Sequence, residues 1–242
     1  VYDLVDVRKQ NTRNFVSGRW VLTIEKDTSG KHVKIKARWV LRGFQDRQRD
    51  DLVKDSPTGT KPGLRLLLQL AVNRGWDINT FDLKTAFLQG DEYSDEEARD
   101  VLCQLPPELG LPWYMAARMK KAAYGLNDAP RKWWDKLDSV IAETKCVPTR
   151  ADRCLYVLVG EKNSYKLEKV EYSDLRGDAL LQLLSDPVRG SYTRGRKVHG
   201  VLLLHVDDGI WTGDEYFRDT VISKILKKFQ AGREHKNDVV FL

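Results

Sequence analysis

The sequence predicts a mixed α/β fold (α+β) in which an antiparallel sheet is backed by helices. Strand-forming residues at 19–26 and 32–42 flank a turn-forming segment, which is typical of a β-hairpin. A second hairpin pattern occupies residues 201–213, where two apolar runs enclose a pair of aspartates. Apolar side chains recur at helical spacing within residues 62–75 and 133–141. These patterns predict both strands and helices in one chain.

The first hairpin places a row of cations on one face of its second strand. Because side chains alternate between faces, Lys34, Lys36 and Arg38 lie about 7 Å apart on the same side. Such a row can bind phosphate, but it also keeps a solvated edge strand from aggregating, and the pattern alone leaves both interpretations open. A polar loop follows, and a leucine-rich helix then runs from Pro62 to Gly75.

The middle of the chain contains a strand around one acid and a helix with an apolar stripe. Asp82 is flanked by strand-forming residues, and its segment closes on Gly90. Residues 91–100 are rich in acids, which predicts a solvated helix or loop rather than a metal site. A helix is predicted near Pro130. The apolar stripe of this helix comprises Trp133, Trp134, Leu137 and Ile141.

The last part of the chain holds a strand, a long loop, the second hairpin and a helix. A strand is predicted at 152–159, and residues 160–200 are expected to form a long polar surface loop with a helical patch at 180–184. An amphipathic helix is predicted at 214–230, and residues 239–242 begin a further strand.

Composition favours a protein that binds polyanions and functions in a reducing compartment. The 242 residues include 41 Lys and Arg against 35 Asp and Glu, a net charge of +6, which favours a polyanionic partner. Three cysteines without metal-ligand spacing argue against a disulfide framework and against zinc. No apolar run reaches the ~18 residues of a membrane span, so we expect a soluble, intracellular protein without a membrane partner. Because the chain begins at Val1, we also expect a piece of a longer polyprotein.

Three carboxylates are candidates for a metal site. Asp207 and Asp208 interrupt an apolar run, and neighbouring anions repel each other unless a cation lies between them. Asp-Asp-Gly is also ordinary turn chemistry, so this pair alone leaves a purely structural role open. Asp82 adds a third acid on another strand. If the two strands pair, Asp82 and Asp207 could hold two divalent cations about 3.5–4 Å apart, the arrangement used in phosphoryl transfer.

Four sequence blocks occur in a fixed order, at residues 36–45, 81–90, 120–133 and 205–208. Together they resemble the reverse transcriptases of Ty1/copia-type retrotransposons. The resemblance implies a polymerase palm, an antiparallel sheet backed by helices, together with fingers. The expected ranges are fingers at about 1–75 and 104–150 and palm at about 76–103 and 151–242, with thumb and RNase H domains absent.

That resemblance implies RNA-directed DNA polymerisation by two-metal phosphoryl transfer, a nucleotidyltransferase activity. The primer 3′-hydroxyl would attack the α-phosphate of a deoxynucleoside triphosphate on an RNA or DNA template-primer. Two Mg²⁺ ions, or Mn²⁺ in their place, would be the cofactors. Integrase and RNase H parts of a parent polyprotein would be partners, in a cytoplasmic particle or in the nucleus.

The resemblance also implies roles for individual residues. Phe87 would exclude ribonucleotides, whereas on pattern alone core packing is the alternative. His205 should share a face with Asp207 by strand alternation. The expected catalytic residues are Asp82, Asp207 and Asp208, which with the backbone carbonyl of Leu83 would also ligate the metal ions. The expected nucleotide-binding residues are Lys36, Arg38, Arg42, Thr85, Ala86 and Phe87, and the expected template or primer contacts are Gly125, Arg131 and His205.

Two other functions remain open on the sequence. The first is a degenerate or domesticated copy that binds nucleic acid without catalysis. His205 replaces the tyrosine of the family, Asp128 adds an acid near the expected nucleic-acid path, and the insertion at 160–200 precedes the second hairpin. The second is a metal-dependent nuclease, which would use the same two-metal chemistry. Primer extension, cleavage and binding alone distinguish the three functions.

Overall fold

The structure, a computed structural model, describes residues 1–26, 30–160 and 196–236 and confirms the mixed α/β class. Residues 161–195 of the predicted insertion, with its helical patch, and the predicted strand at 239–242 fall outside the described residues. The strands are β1 (Tyr2–Asp6), β2 (Phe15–Val16), β3 (Gly18–Lys26), β4 (His32–Leu41), β5 (Asn79–Leu83), β6 (Leu102–Cys103), β7 (Met115–Met119), β8 (Val147–Pro148), β9 (Leu155–Val159), β10 (Val198–His205), β11 (Asp208–Gly213) and β12 (Ala231–Lys236). The helices are α1 (Lys61–Arg74), α2 (Ala129–Ala142), α3 (Glu215–Phe217) and α4 (Ser223–Lys228), with a π-helical turn at Arg218–Ile222 between the last two.

The chain divides into two compact units. The first unit comprises Val1–Ser56 and Phe87–Lys136, and the second comprises Pro57–Ala86 and Leu137–Leu242. These bounds differ from the ranges expected from the sequence, most clearly at α1, which we expected with the N-terminal hairpin. Helix α1 instead packs against β10 and β11, so its apolar side belongs to the core of the second unit.

The first unit contains a four-stranded sheet and a separate two-stranded ribbon. The sheet has the order β1-β7-β6-β2, and its pairs are antiparallel except for β2, which runs parallel to β6. The ribbon pairs β3 with β4 and confirms the predicted N-terminal hairpin. One buried cluster in the core of this unit comprises Val16, Leu41, Val101, Cys103, Ala117, Met119, Ala123 and Leu126.

The ribbon of β3 and β4 has one apolar face and one basic face. Residues that lie directly opposite each other share a face, and the register pairs Trp20 with Trp39 and Ile24 with Ile35. The indole N–H of Trp39 donates to the carbonyl oxygen of Gln104 at 3.0 Å, which ties the base of the ribbon to the core. The opposite face carries the predicted row of Lys34, Lys36 and Arg38, together with Arg19.

A buried ionic cluster joins three separate segments of the first unit. The Arg99 side chain is 2% exposed, and its guanidinium contacts Asp46 Oδ2 at 2.5 Å and Asp128 Oδ2 at 3.1 Å. The Tyr93 hydroxyl donates to Asp128 at 2.9 Å, and the Asn14 amide donates to Asp46 at 2.8 Å. The sequence predicted that residues 91–100 are solvated, which is wrong for Tyr93 and Arg99.

Asp128 is buried inside the first unit. Its residue is 3% exposed, and its carboxylate is engaged by Arg99 and Tyr93. The expectation that Asp128 adds a repulsive acid beside the nucleic acid is therefore corrected. One ground for regarding the chain as a degenerate copy is removed with it.

The second unit is built on a six-stranded sheet in which every neighbouring pair is antiparallel. Its order is β12-β5-β11-β10-β9-β8. The predicted hairpin of β10 and β11 lies in the middle, and β11 joins it to β5, the strand that carries Asp82. β12, at the edge, has no counterpart in the sequence prediction.

Caps at both ends define the leucine-rich helix. The Thr60 side chain accepts a hydrogen bond from the Gly63 N–H, and Gly75 closes α1 in the left-handed conformation with φ of 62°. The predicted helix at 214–230 is confirmed as α3, the π-helical turn and α4. Within the described ranges, no helix is long and apolar enough to cross a bilayer.

Candidate active site

Three aspartates lie at the same end of neighbouring strands in the second unit. Asp82 on β5 is directly opposite Asp208, the first residue of β11. Asp207 lies in the turn before β11, and its carbonyl oxygen accepts a hydrogen bond from the Leu83 N–H at 3.0 Å. The two acid-bearing strands therefore pair as the sequence predicted, with Asp208 rather than Asp207 directly across from Asp82.

The other two acids act electrostatically on the Asp208 carboxylate. Burial raises the pKa of Asp208, and the negative charges of Asp207 and Asp82 raise it further, against a lowering by His205. Two nearby anions shift each other's pKa in this way because each disfavours the charged form of the other. A cation bound among these oxygens would remove that repulsion.

The donor chemistry of the three acids fits a hard divalent cation. Carboxylate and carbonyl oxygens are the ligands that Mg²⁺ and Mn²⁺ prefer. In the described part of the chain, no three His, Cys, Asp or Glu side chains are arranged so that they could hold a metal ion together. The metal-ligand roles of Asp82, Leu83, Asp207 and Asp208 therefore stay predictions.

The turn that carries Asp207 holds a strained backbone. Val206 and Asp207 form a two-residue connection between β10 and β11, and Val206 has φ of 60°. Positive φ at the first position alone is the pattern of a type II′ turn, which favours glycine there. A β-branched residue in this conformation costs about 1–3 kcal/mol.

We expect Val206→Gly to raise the free energy of unfolding by about 1 kcal/mol, because relief of strain exceeds the added chain entropy of glycine. Urea unfolding measures the change. Val159→Gly in β9, where the backbone is ordinary strand, is the matched control and should destabilise. Equal destabilisation by both variants would show that the turn stores no strain.

Gly209 belongs to a strand and not to the turn. It pairs with Phe81 in the ladder between β11 and β5. A Cβ at Gly209 would lie 2.2 Å from Cζ of the Phe81 ring, so glycine is required for this ring to pack across the hairpin. The interpretation of Asp-Asp-Gly as a turn sequence is therefore wrong, because the turn precedes Asp208.

His205 faces a different acid from the one expected. The hairpin register pairs His205 with Asp208, and directly opposed residues share a face. Strand alternation does not continue through Val206 and Asp207, since the chain reverses direction there. The charge of His205 accordingly acts on Asp208, whose pKa it lowers.

The predicted nucleotide-binding cations lie in the first unit. Lys36 and Arg38 are on the basic face of the ribbon, and Arg42 follows the end of β4. The Arg42 guanidinium donates to the Ser17 hydroxyl at 3.4 Å, at the base of that ribbon. The sequence prediction of a shared basic face is confirmed for Lys36 and Arg38.

Three predicted nucleotide-binding residues follow Lys84, the first residue after β5, and they differ in their surroundings. Thr85 adopts left-handed φ of 50°. Ala86 is 2% exposed, so its side chain belongs to the protein core. The Phe87 ring packs at a tilt against Tyr124, with ring centroids 5.2 Å apart. Phe87 is half-buried, and its role in nucleotide selection stays a prediction.

A cleft of about 520 Å³ brings together Arg42 and Gly125, which the sequence assigned to different tasks. Gly125 has φ of 95°, and a Cβ there would lie 1.9 Å from the carbonyl oxygen of Leu41. Glycine is therefore required by the chain's own backbone. Arg19 also lines this cleft and was missed, because only the cross-strand register of β3 and β4 reveals its face.

Arg131 is occupied by protein contacts. Its Nε contacts both oxygens of Asp135 at 2.9 Å, one turn along α2. Its guanidinium also lies 4.9 Å from the ring centroid of Trp134 and donates to the Asp55 carbonyl oxygen. A template phosphate would have to compete with Asp135 for this side chain.

Comparison with protein families identifies the family to which the chain belongs. Residues 1–169 match the family described as reverse transcriptase (RNA-dependent DNA polymerase). The chain belongs to the reverse transcriptase family. The match to this family includes Asp82 and both strands of the ribbon, and it ends before the hairpin that carries Asp207 and Asp208.

Relatives of this reverse transcriptase chain are Pol polyproteins of plant transposons. It is 31% identical over 167 residues to the retrovirus-related Pol polyprotein from transposon TNT 1-94 of Nicotiana tabacum, covering 68% of this chain and 12% of that protein. Identity is 34% over 147 residues with the Pol polyprotein from transposon RE2 of Arabidopsis thaliana and 33% over 147 residues with that from transposon RE1. Each of these two matches covers 59% of this chain and 10% of the relative. The chain thus spans 10–12% of the length of these relatives, and the Ty1/copia-type resemblance is confirmed.

Proposed function

We propose that this reverse transcriptase chain carries the polymerase centre of an RNA-directed DNA polymerase. The observation that supports the proposal is the pairing of Asp82 with Asp208 across β5 and β11, with Asp207 in the adjoining turn. Carboxylates that meet at one end of neighbouring strands, where the charges of Asp207 and Asp82 raise the pKa of Asp208, are suited to hold cations at a reacting phosphate.

The reaction proposed is attack of a primer 3′-hydroxyl on the α-phosphorus of a deoxynucleoside triphosphate. A bond forms between the 3′-oxygen and that phosphorus, and the bond to pyrophosphate breaks. Two divalent cations, when bound, would neutralise phosphate charge and favour ionisation of the 3′-hydroxyl. Asp82, Asp207 and Asp208 would hold them with the Leu83 carbonyl, and the Leu83 N–H hydrogen bond would fix the backbone of Asp207.

We propose the second unit as the polymerase palm and the first as the fingers. The antiparallel sheet of the second unit carries Asp82 and Asp208, and the turn between its strands β10 and β11 carries Asp207. The first unit offers a basic face of Arg19, Lys34, Lys36 and Arg38, and Lys and Arg are the usual partners of phosphate oxygens. We further propose that the whole protein includes integrase and RNase H parts, since the relatives are Pol polyproteins.

Metal-dependent primer extension tests this function. The purified chain is given a labelled DNA primer annealed to an RNA template, deoxynucleoside triphosphates and Mg²⁺, with a chelator in the control reaction. Extension by single nucleotides that the chelator abolishes is the expected result. Cleavage of the template without extension would instead support a metal-dependent nuclease, and binding without either reaction would support a degenerate copy.

Phe87→Ala is expected to weaken selection against ribonucleotides. A bulky ring beside the sugar would exclude a 2′-hydroxyl, and alanine would remove that obstacle. The ratio of kcat/KM for deoxy- and ribonucleoside triphosphates measures the effect. Leu88→Ala, in the same 3₁₀ turn, is the matched control. An unchanged ratio in the Phe87 variant would leave this ring with a packing role against Tyr124 only.

A further inference from the structure

The edge strand β12 pairs with β5 through one irregularity. Ala231 lies opposite Leu83, and the next regular pair is Glu234 opposite Phe81. Between these pairs, β5 contributes one residue whereas β12 contributes two. This is the geometry of a β-bulge, a feature that often occurs beside active sites and changes the direction of a nearby side chain.

The bulge lies directly across from the candidate catalytic acid. The single residue on β5 is Asp82, and the two residues on β12 are Gly232 and Arg233. The ladder continues past the bulge, because the Lys84 N–H donates to the carbonyl oxygen of Gln230 at 2.9 Å. The irregularity is therefore confined to the position of Asp82.

Gly232 leaves the space that the Asp82 side chain occupies. A Cβ at residue 232 would lie 2.3 Å from Asp82 Oδ2, 3.1 Å from Cγ and 3.2 Å from the backbone oxygen. Gly232 is not among the glycines with positive φ, so its backbone does not itself require glycine. Glycine is needed at this position because it has no side chain, and not because of its backbone freedom.

We propose that Gly232 is a positioning residue for the polymerase centre, because the space that it leaves is where the carboxylate of Asp82, a proposed ligand of the divalent cation, lies. This inference rests on the proposed function of Asp82. A methyl group at residue 232 turns the carboxylate away from its place, since the atom in its path is the end of a short side chain. The Asp82 carboxylate keeps its negative charge, but it no longer lies where it does in the parent chain.

Mn²⁺ binding followed by electron paramagnetic resonance tests the inference without any turnover. Gly232→Ala is expected to weaken Mn²⁺ binding about 10- to 100-fold, the usual effect of a residue that orients a metal ligand. Gly90→Ala is the matched control, because a Cβ there would meet its nearest atom at 3.6 Å, an ordinary contact. Binding by the control should equal that of the parent chain.

A double-mutant cycle shows whether the effect passes through Asp82. In an Asp82→Asn background, Gly232→Ala should cause no further loss of Mn²⁺ affinity, since the carboxylate that it displaces is already gone. Parent-like Mn²⁺ affinity in Gly232→Ala would overturn the inference and leave the proposed function intact. Absence of Mn²⁺ binding by the parent chain would count against the proposed function itself.

Folding provides a second readout if Gly232→Ala proves unstable. The clash is with the Asp82 carboxylate, so removing that group in Asp82→Ala should recover the free energy of unfolding lost in Gly232→Ala. Thermal unfolding of the two single variants and the double variant measures this coupling. Equal destabilisation by Gly232→Ala in both backgrounds would mean that residue 232 contacts something other than the carboxylate, and the inference would fail.

Discussion

Asp82→Asn should lower the rate of primer extension at least about a thousandfold, a loss of ~4 kcal/mol in transition-state stabilisation. The substitution keeps the shape of the side chain and removes its charge. Asp82 lies opposite Asp208 and next to the residue that hydrogen-bonds Asp207, so the loss of its charge affects the whole group of acids. Single-turnover extension at saturating nucleotide concentration measures the rate.

The matched control for this prediction is Asp77→Asn. Asp77 precedes β5 and forms an exposed ion pair with Lys236 at 2.7 Å, away from the three acids along the strand. Exposed pairs of this kind contribute little, so we expect parental activity and stability. If Asp82→Asn retains a rate within tenfold of the parent, about 1.4 kcal/mol, another residue carries the catalytic role.

Arg99→Met should destabilise the first unit by about 3–5 kcal/mol. Methionine fills a similar volume but leaves Asp46 and Asp128 buried without their cation. An unpaired buried carboxylate is far more costly than the intact cluster, because its desolvation is no longer offset. Urea unfolding followed by tryptophan fluorescence measures the difference. Arg49→Met, which breaks an exposed pair with Asp50 at 3.6 Å, should change stability by less than ~1 kcal/mol.

The destabilisation by Arg99→Met should shrink as the pH falls. In the parent, burial raises the pKa of Asp46, but hydrogen bonds from Arg99 and Asn14 outweigh it and hold that pKa below 3.8. Asp46 therefore stabilises the parent above this pH and loses its contribution as the pH falls through the lowered pKa. In the variant, the unpaired carboxyls take up protons at a higher pH, so the two unfolding free energies converge on acidification. A difference that stays constant between pH 7 and pH 4 would contradict this account.

Local patterns were sufficient to predict the elements that bury an apolar face. Strand-forming runs on either side of a turn predicted both hairpins, and helical spacing of apolar residues predicted α1 and α2. β12 was missed because Ala231–Lys236 is an edge strand without such a pattern. Its pairing depends on backbone hydrogen bonds to β5, which leave no signal in the side chains.

The acids of the candidate site could be named from sequence, but their arrangement could not. The pairing of Asp82 with Asp208 depends on the register between β5 and β11, strands that are far apart in the chain. The interaction of Arg99 with Asp128 was hidden for the same reason, since both residues lie in segments whose charge is typical of a solvated surface. Strand register and ion pairs between distant segments depend on the tertiary structure, and they cannot be predicted from composition.

Each unit is formed by two separate stretches of the chain, and this arrangement affects the order in which the units can fold during synthesis. The chain passes from one unit to the other after Ser56, Ala86 and Lys136. During synthesis from the N-terminus, the first unit has all its residues once Lys136 has left the ribosome. The sheet of the second unit then has only β5 and still lacks its other five strands, β8 to β12. The ion pairs around Arg99 can therefore form before β11, the strand that pairs with β5 at Asp82, has been synthesised. For the same reason, no single proteolytic cut releases either unit as one continuous fragment.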